Sequence, residues 1–190
     1  MAVAQMPQVV APKPSFRSEV EAAGGENVST CFQCEKCTNG CPLYAWMDIP
    51  PHRMMRCIQL GLKDEALRSN TIWVCASCET CTARCPNGID IAHVMDTLRQ
   101  MSQREGVPAS QRSVPIFHKA FLNSIRRHGR VYEAEMATSF FLKNESWRSL
   151  SKLAGMGLQM FSKGKVKLMP SRAGATGQVK DIFRRTVLKG

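Results

Sequence analysis

The sequence predicts a mainly α-helical fold, with two pseudo-symmetric cysteine loops in its first half and further helices toward the C-terminus. Three observations lead there. Eight of the nine cysteines form two copies of one pattern, Cys31-x2-Cys34-x2-Cys37-x3-Cys41-Pro42 and Cys75-x2-Cys78-x2-Cys81-x3-Cys85-Pro86, at an offset of 44 residues. Each copy is followed by a stretch whose apolar residues return every three or four positions, the helical period. The 33 residues between Cys41 and Cys75 hold about two helices, which suit that gap better than short strands.

In chain order, residues 1–14 lack periodicity and read as an extended arm. Ser15 is placed to cap a helix from Phe16 to Ala23 that Gly24 and Gly25 stop. After the first loop, Pro50 and Pro51 open a helix carrying Met54, Met55, Ile58 and Leu62, with Gly61 near its end. Trp73 and Val74 precede the second loop, where they can shield whatever it binds from water. Asp90 is placed to cap a helix with Ile91, Val94, Met95, Leu98 and Met101 on its apolar face and Arg99, Gln100 and Gln103 outward. Asp48-Ile49 and Asp90-Ile91 begin the segments after the two loops at nearly matching places, so residues 15–106 read as one domain of two like halves.

Beyond it, residues 107–142 form a helical extension. A helix starts at Ser113 or Val114 with Pro115, carries Phe117, Phe121 and Ile125 on one face, and ends near Gly129; Tyr132, Met136 and Phe140 continue the stripe. Residues 143–190 form a basic tail. In it Trp147, Leu150, Ala154, Leu158 and Phe161 mark a basic amphipathic helix, which fits its own domain, a partner protein or a membrane surface. A linker over 170–179 leads to a last basic stretch at Arg184 and Arg185.

Cysteines at steps of three, then a longer step and a proline, have the spacing of two-cluster iron–sulfur proteins, in which the fourth cysteine ligates the other cluster. On that spacing Cys31, Cys34, Cys37 and Cys85 hold one [4Fe–4S] cluster, and Cys75, Cys78, Cys81 and Cys41 hold the second. A cubane offers four separate irons, so three ligands from one tight loop each reach a different corner. Structural zinc takes four ligands converging on one point, normally from two separated Cys-x2-Cys pairs, and the middle cysteine of each triplet would then be surplus. A disulfide framework fits less well still, because nine is an odd number and no secretory signal precedes the cysteines. Pro42 and Pro86 turn the chain away from the bound group.

Charge divides the chain. Residues 1–142 hold 15 basic and 13 acidic side chains, whereas residues 143–190 hold 11 basic and 2 acidic, out of a net charge of +11. The tail is thus a basic pole that attracts acidic surfaces, while the lack of a nucleic-acid-binding motif or interleaved aromatics argues against nucleic acid. No apolar run nears the roughly 20 residues that cross a bilayer. The expected location is the cytoplasm, where thiols stay reduced.

With Glu26-Asn27-Val28 ahead of the first loop, the loop sequence from Cys31 to Pro42, and the run from Phe117-His118-Lys119-Ala120-Phe121-Leu122 to Arg127-His128-Gly129-Arg130, the chain resembles the C-type iron–sulfur subunit of heterodisulfide reductase over residues 16–142. That resemblance implies an α-helical ferredoxin domain with two [4Fe–4S] clusters, relaying electrons from a flavin-containing A-type subunit to a catalytic B-type subunit. It also implies a supply from a hydrogenase or formate dehydrogenase module. The Cys-Cys-Gly motifs of the B-type subunit are absent here, so the relay itself is not expected to reduce the disulfide. An iron–sulfur subunit of a membrane-associated dehydrogenase or quinone-linked complex is the alternative for this cysteine pattern.

The remaining candidates read as structural. Cys57 stands on a helix away from the triplets and reads as a small buried apolar side chain. His52, His93, His118 and His128 show no ligand or nucleophile–base spacing. Lys36 and Arg84 lie inside the loops, where positive charge favours a reduced cluster. No catalytic residue is expected, and no glycine-rich phosphate loop appears, so flavin or nicotinamide belongs to another subunit.

Overall fold

The computed structural model describes residues 12–144, 162–163 and 174–186, and among these every regular element is helical. The chain divides between Gln111 and Arg112 into two compact units.

The first unit contains α1 (Ser15–Gly24), α2 (Lys36–Asn39), α3 (Pro51–Gln59), α4 (Lys63–Arg68), α5 (Thr71–Val74), α6 (Thr80–Ala83) and α7 (Ile91–Arg104). Its core sets Phe16 and Val20 of α1 and Met54, Met55 and Ile58 of α3 with Leu67, Ile72, Val94, Met95 and Leu98. Burying each such side chain contributes about 1.5–3 kcal/mol. α1 packs on both α3 and α7, and α4 packs on the same pair.

Ser15 does not cap α1. Pro14 already has helical backbone angles and takes the cap position, so Ser15 lies inside the helix and its hydroxyl donates to Glu19 Oε1 at 2.8 Å. Gly25, at φ 75°, stops the helix as expected. α3 ends at Gln59, and Leu62 falls beyond it because Gly61 turns the chain at φ 74°. Glycine is required there twice over: a Cβ would also stand 2.4 Å from the Lys13 carbonyl oxygen. The Lys13 amide donates to the Gly61 carbonyl at 2.7 Å, which straps the end of the arm to this turn. The rest of the expected arm, residues 1–11, lies outside the described residues.

Asp48 fastens the link between the halves. Its carboxylate accepts from the Ser69 hydroxyl, the Asn70 amide at 2.8 Å, and the Thr71 amide and hydroxyl at 3.2 and 2.9 Å, all at the start of α5. Burial works to raise the carboxyl's pKa, but the bonds from Ser69, Asn70 and Thr71 together outweigh it and hold the group below the usual carboxylate range. The stability this contributes is fully present above the ordinary carboxylate pKa and is lost as pH falls through the lowered folded value. Asp48 is itself exposed, and water screens its charge, so Asp48→Asn is expected to cost only about 1 kcal/mol near neutrality. In urea unfolding followed against pH, its deficit relative to wild type should shrink on the acid side; a constant deficit would show that the charge is not what matters.

After each loop the halves differ in length. Cys41 to Pro51 takes four residues more than Cys85 to Ile91, and a 3-10 turn, Tyr44–Trp46, occupies the excess. Tyr44 and Trp46 are exposed there, at 53% and 66%. α7 begins as expected, with Asp90 accepting from the His93 amide at 2.9 Å, and it buries Ile91, Val94, Met95, Leu98 and Met101.

The second unit contains α8 (Ser113–His128), α9 (Glu133–Asn144) and α10 (Thr176–Thr186). α8 stops at Gly129, φ 76°, and packs on α9. Phe117 stacks on Phe121 with centroids 6.1 Å apart and meets Phe140 edge-on at 5.7 Å. The Ser124 hydroxyl, buried at the foot of α8, accepts the Tyr132 amide at 2.9 Å. α10 packs on α8 and begins at Thr176, so it takes up the end of the expected 170–179 linker and carries Arg184 and Arg185. The amphipathic helix expected over 147–161 lies outside the described residues. Among the described residues, no helix is long and apolar enough to cross a membrane.

Candidate metal centres

Both cysteine loops are built on the same unusual backbone. Gln33 and Glu35 in the first, and Ser77 and Glu79 in the second, have φ between 49° and 61°, and they are the left-handed non-glycine residues among those described. They occupy equivalent positions at the offset of 44. Each costs roughly 1 kcal/mol or more for an L-residue, so the loops hold a conformation that their sequences do not favour. The single-turn helices α2 and α6 start directly after Glu35 and Glu79 and pack on each other. Gly40 and Arg84, also equivalent, meet there: a Cβ on Gly40 would lie 2.4 Å from Arg84 Cδ, so the missing side chain on one half makes room for the arginine of the other.

The turns gather the cysteines around two cavities. One, of about 320 Å³ with its open mouth, is lined by Cys31, Cys34 and Cys37 and by Cys85 of the other half, with Phe32, His52 and Ile91 among its walls. The other, of about 400 Å³, is lined by Cys75, Cys78 and Cys81 and by Cys41, with Leu43, Met47, Pro51 and Met95. Among the described residues, no three His, Cys, Asp or Glu side chains converge on one point as a single ion requires. Four thiols spread round a largely apolar cavity instead suit a cluster bound at separate corners.

Burial pushes up the thiols of Cys37 and Cys75, and takes that of Cys81 to about 11, whereas a hydrogen bond with Thr80 lowers exposed Cys78. The buried thiols of Cys37, Cys75 and Cys81 therefore favour the protonated form at neutral pH.

The helices after the loops brace them in matching ways. The Thr38 hydroxyl accepts the His52 amide at 3.1 Å, and the Thr82 hydroxyl accepts the Ala92 amide at 3.3 Å. Gln59 Nε2 donates to the carbonyls of Val28 and Cys31 at 3.1 and 3.4 Å. Arg99 donates to the equivalent carbonyls of the other half, from Nε to Ile72 at 2.7 Å and from Nη2 to Cys75 at 2.9 Å. Its Nη1 reaches Asp96 at 2.8 Å, and Asp96 accepts the Ser77 hydroxyl at 3.0 Å.

These braces correct several expectations. Arg99 does not face outward; its side chain is 15% exposed and turned onto the second loop. The matching register after the loops is 40 residues, pairing His52 with Ala92 and Gln59 with Arg99, and not the 42 that aligns Asp48-Ile49 with Asp90-Ile91. Trp73 is buried in the core with its indole N–H unpartnered, and neither it nor Val74 is among the lining residues of the two cysteine cavities. Leu43, Met47, Ile91 and Met95 line the cavities instead. His52 is a wall of the first cavity, its Nδ1 2.8 Å from the Thr38 hydroxyl. Lys36 lines that cavity and is exposed, as is Arg84. Cys57 is buried, and burial raises its thiol pKa.

A family model described as a 4Fe-4S dicluster domain matches residues 30–90, the stretch that holds all eight cysteines. An all-helical first unit with this match defines the chain as an iron–sulfur protein of the helical dicluster type. Its curated relatives narrow the class. The C-type subunit of the H(2):CoB-CoM heterodisulfide,ferredoxin reductase of Methanothermobacter marburgensis is 34% identical over 94 residues, covering 50% of this chain and 51% of that protein. The C-type iron-sulfur subunit of the CoB--CoM heterodisulfide reductase of Methanopyrus kandleri is 36% identical over 92 residues, 48% of each. The second such C-type subunit of Methanocaldococcus jannaschii is 30% identical over 142 residues, covering 70% of this chain and 71% of that protein. The chain belongs to the family of C-type heterodisulfide reductase subunits, although it spans about half the length of the first two relatives.

Proposed function

We propose that the chain is an electron relay that binds two [4Fe–4S] clusters, one through Cys31, Cys34, Cys37 and Cys85 and the other through Cys75, Cys78, Cys81 and Cys41. The observation that carries this reading is the crossed lining of the two cavities, each taking three thiols from one half and one from the other. Such a cluster takes up and gives back one electron at a time.

The protein's own part is to hold and insulate. Cys37, Cys75 and Cys81 give up protons on ligation. Leu43, Met47, Ile91 and Met95 keep water from the sulfur cage, which tunes its potential. Gln59 and Arg99 fix the loop carbonyls, so the ligands need to move little when charge changes. Two adjoining one-electron sites can feed a two-electron reaction in successive steps.

Membership of the C-type family supports the finer assignment, a cytoplasmic relay from a flavin-containing A-type subunit to a catalytic B-type subunit of a heterodisulfide reductase-like complex. Electrons enter that complex from a hydrogenase or formate dehydrogenase module. Purified without oxygen, the protein is expected to be brown and to hold about eight irons and eight acid-labile sulfides per chain, and pull-down in detergent-free buffer is expected to recover a flavoprotein and a protein with Cys-Cys-Gly motifs. A colourless, iron-free preparation overturns the cluster reading. A brown protein that sediments with membranes keeps it and overturns the soluble complex.

A further inference from the structure

Resting on the two-cluster reading above, we propose that Arg99 is an electrostatic tuning residue that biases the electron toward the second-half cluster, a role its structural counterpart Gln59 does not share. The two side chains do the same mechanical work. Each leaves the helix after its loop and donates to two backbone carbonyls, those of the first cysteine and of the residue three positions before it. The difference is charge. Gln59 is a neutral amide, whereas Arg99 is a cationic guanidinium.

Other charges stand near both loops, and their exposure decides which one counts. Glu35, Lys36 and Arg56 at the first loop and Glu79 and Arg84 at the second are exposed, where water and salt screen them. Arg56 also stands one group further out, donating at 3.2 Å to the outer oxygen of Gln59. Asp96 opposes Arg99 and also reaches the second loop by accepting the Ser77 hydroxyl, but its side chain is 38% exposed against 15% for the arginine, so water screens it more. Arg99 is the less screened of the two and the one that bonds the Cys75 carbonyl directly. Reduction adds one negative charge to a cluster, so a fixed cation beside one of two sites draws the electron there: first reduced and second oxidised go over to first oxidised and second reduced.

Gln59 shows that a glutamine can bridge two such carbonyls in this fold, so Arg99→Gln removes the charge with the brace conserved in kind, while Arg99→Lys keeps the charge and loses the fork. Both variants and wild type are to be purified anaerobically, checked for iron, and titrated by EPR-monitored reduction. The second-half signal is identified as the one altered in Cys78→Ser. In Arg99→Gln the second-half midpoint is expected to fall by about 59 mV, a tenfold shift in electron partition for a one-electron couple, with the first-half midpoint nearly unmoved and Arg99→Lys close to wild type. Unchanged midpoints, equal shifts in both signals, or equal shifts in Arg99→Gln and Arg99→Lys overturn the proposal. Loss of the second cluster in both variants does so too, by marking Arg99 as a brace alone. Wild type without iron is a different failure, that of the cluster reading itself.

Discussion

Cys41→Ser is expected to lose or alter the cluster of the second triplet while that of the first stays whole, although Cys41 stands only four residues after Cys37. In the fold it lines the cavity of Cys75, Cys78 and Cys81. A serine oxygen is a poorer ligand for iron than a thiolate, so iron should fall from about eight toward about four per chain. Cys85→Ser should do the reverse, since Cys85 stands with Cys31, Cys34 and Cys37. The check is spectroscopic: Cys41→Ser should share its EPR change with Cys78→Ser, and Cys85→Ser with Cys34→Ser. The opposite pairing would sink the crossed wiring and leave each loop holding its own cluster.

Stripping iron with a chelator under reducing conditions is expected to lower the melting temperature of the first unit by about 10 °C or more. The reason lies in the loops. Four left-handed residues at roughly 1 kcal/mol each add up to about 4 kcal/mol of conformational cost, and α2 and α6, four residues apiece, are too short to persist alone. A bound group that grips four thiols offsets that cost, as metal binding free energy is folding free energy in such sites. Circular dichroism of the iron-free protein should show a partial loss of helix that iron and sulfide restore. An iron-free chain that melts at the holoprotein's temperature would show the loops to be stable on their own.

Helical class and the identity of the gathered cysteines were legible because both rest on local spacing. Asp90 and Gly129 announced their helix ends, and the apolar face of α7 followed its period. What stayed hidden depends on which long side chain reaches back over which loop. Arg99 sits on the polar side of its helix by period alone, and nothing local says that two carbonyls will be waiting for it. A comparison of the halves at a shift of 40 would have set it beside Gln59, but the obvious shift, fixed by the cysteines, is 44. His52 escaped for the same reason, since it lines a wall only once α3 is laid against α2. Ser15 misled because a proline ahead of it already had the helical φ.

The four extra residues that carry Tyr44 and Trp46 set the two faces of the domain apart. Phe32 stands exposed beside the first cavity, whereas the exposed pair Tyr44 and Trp46 lies between Leu43 and Met47 of the second. The halves repeat their cysteines but not their outer surface, so pseudo-symmetry stops at the cavities and does not extend to what solvent meets.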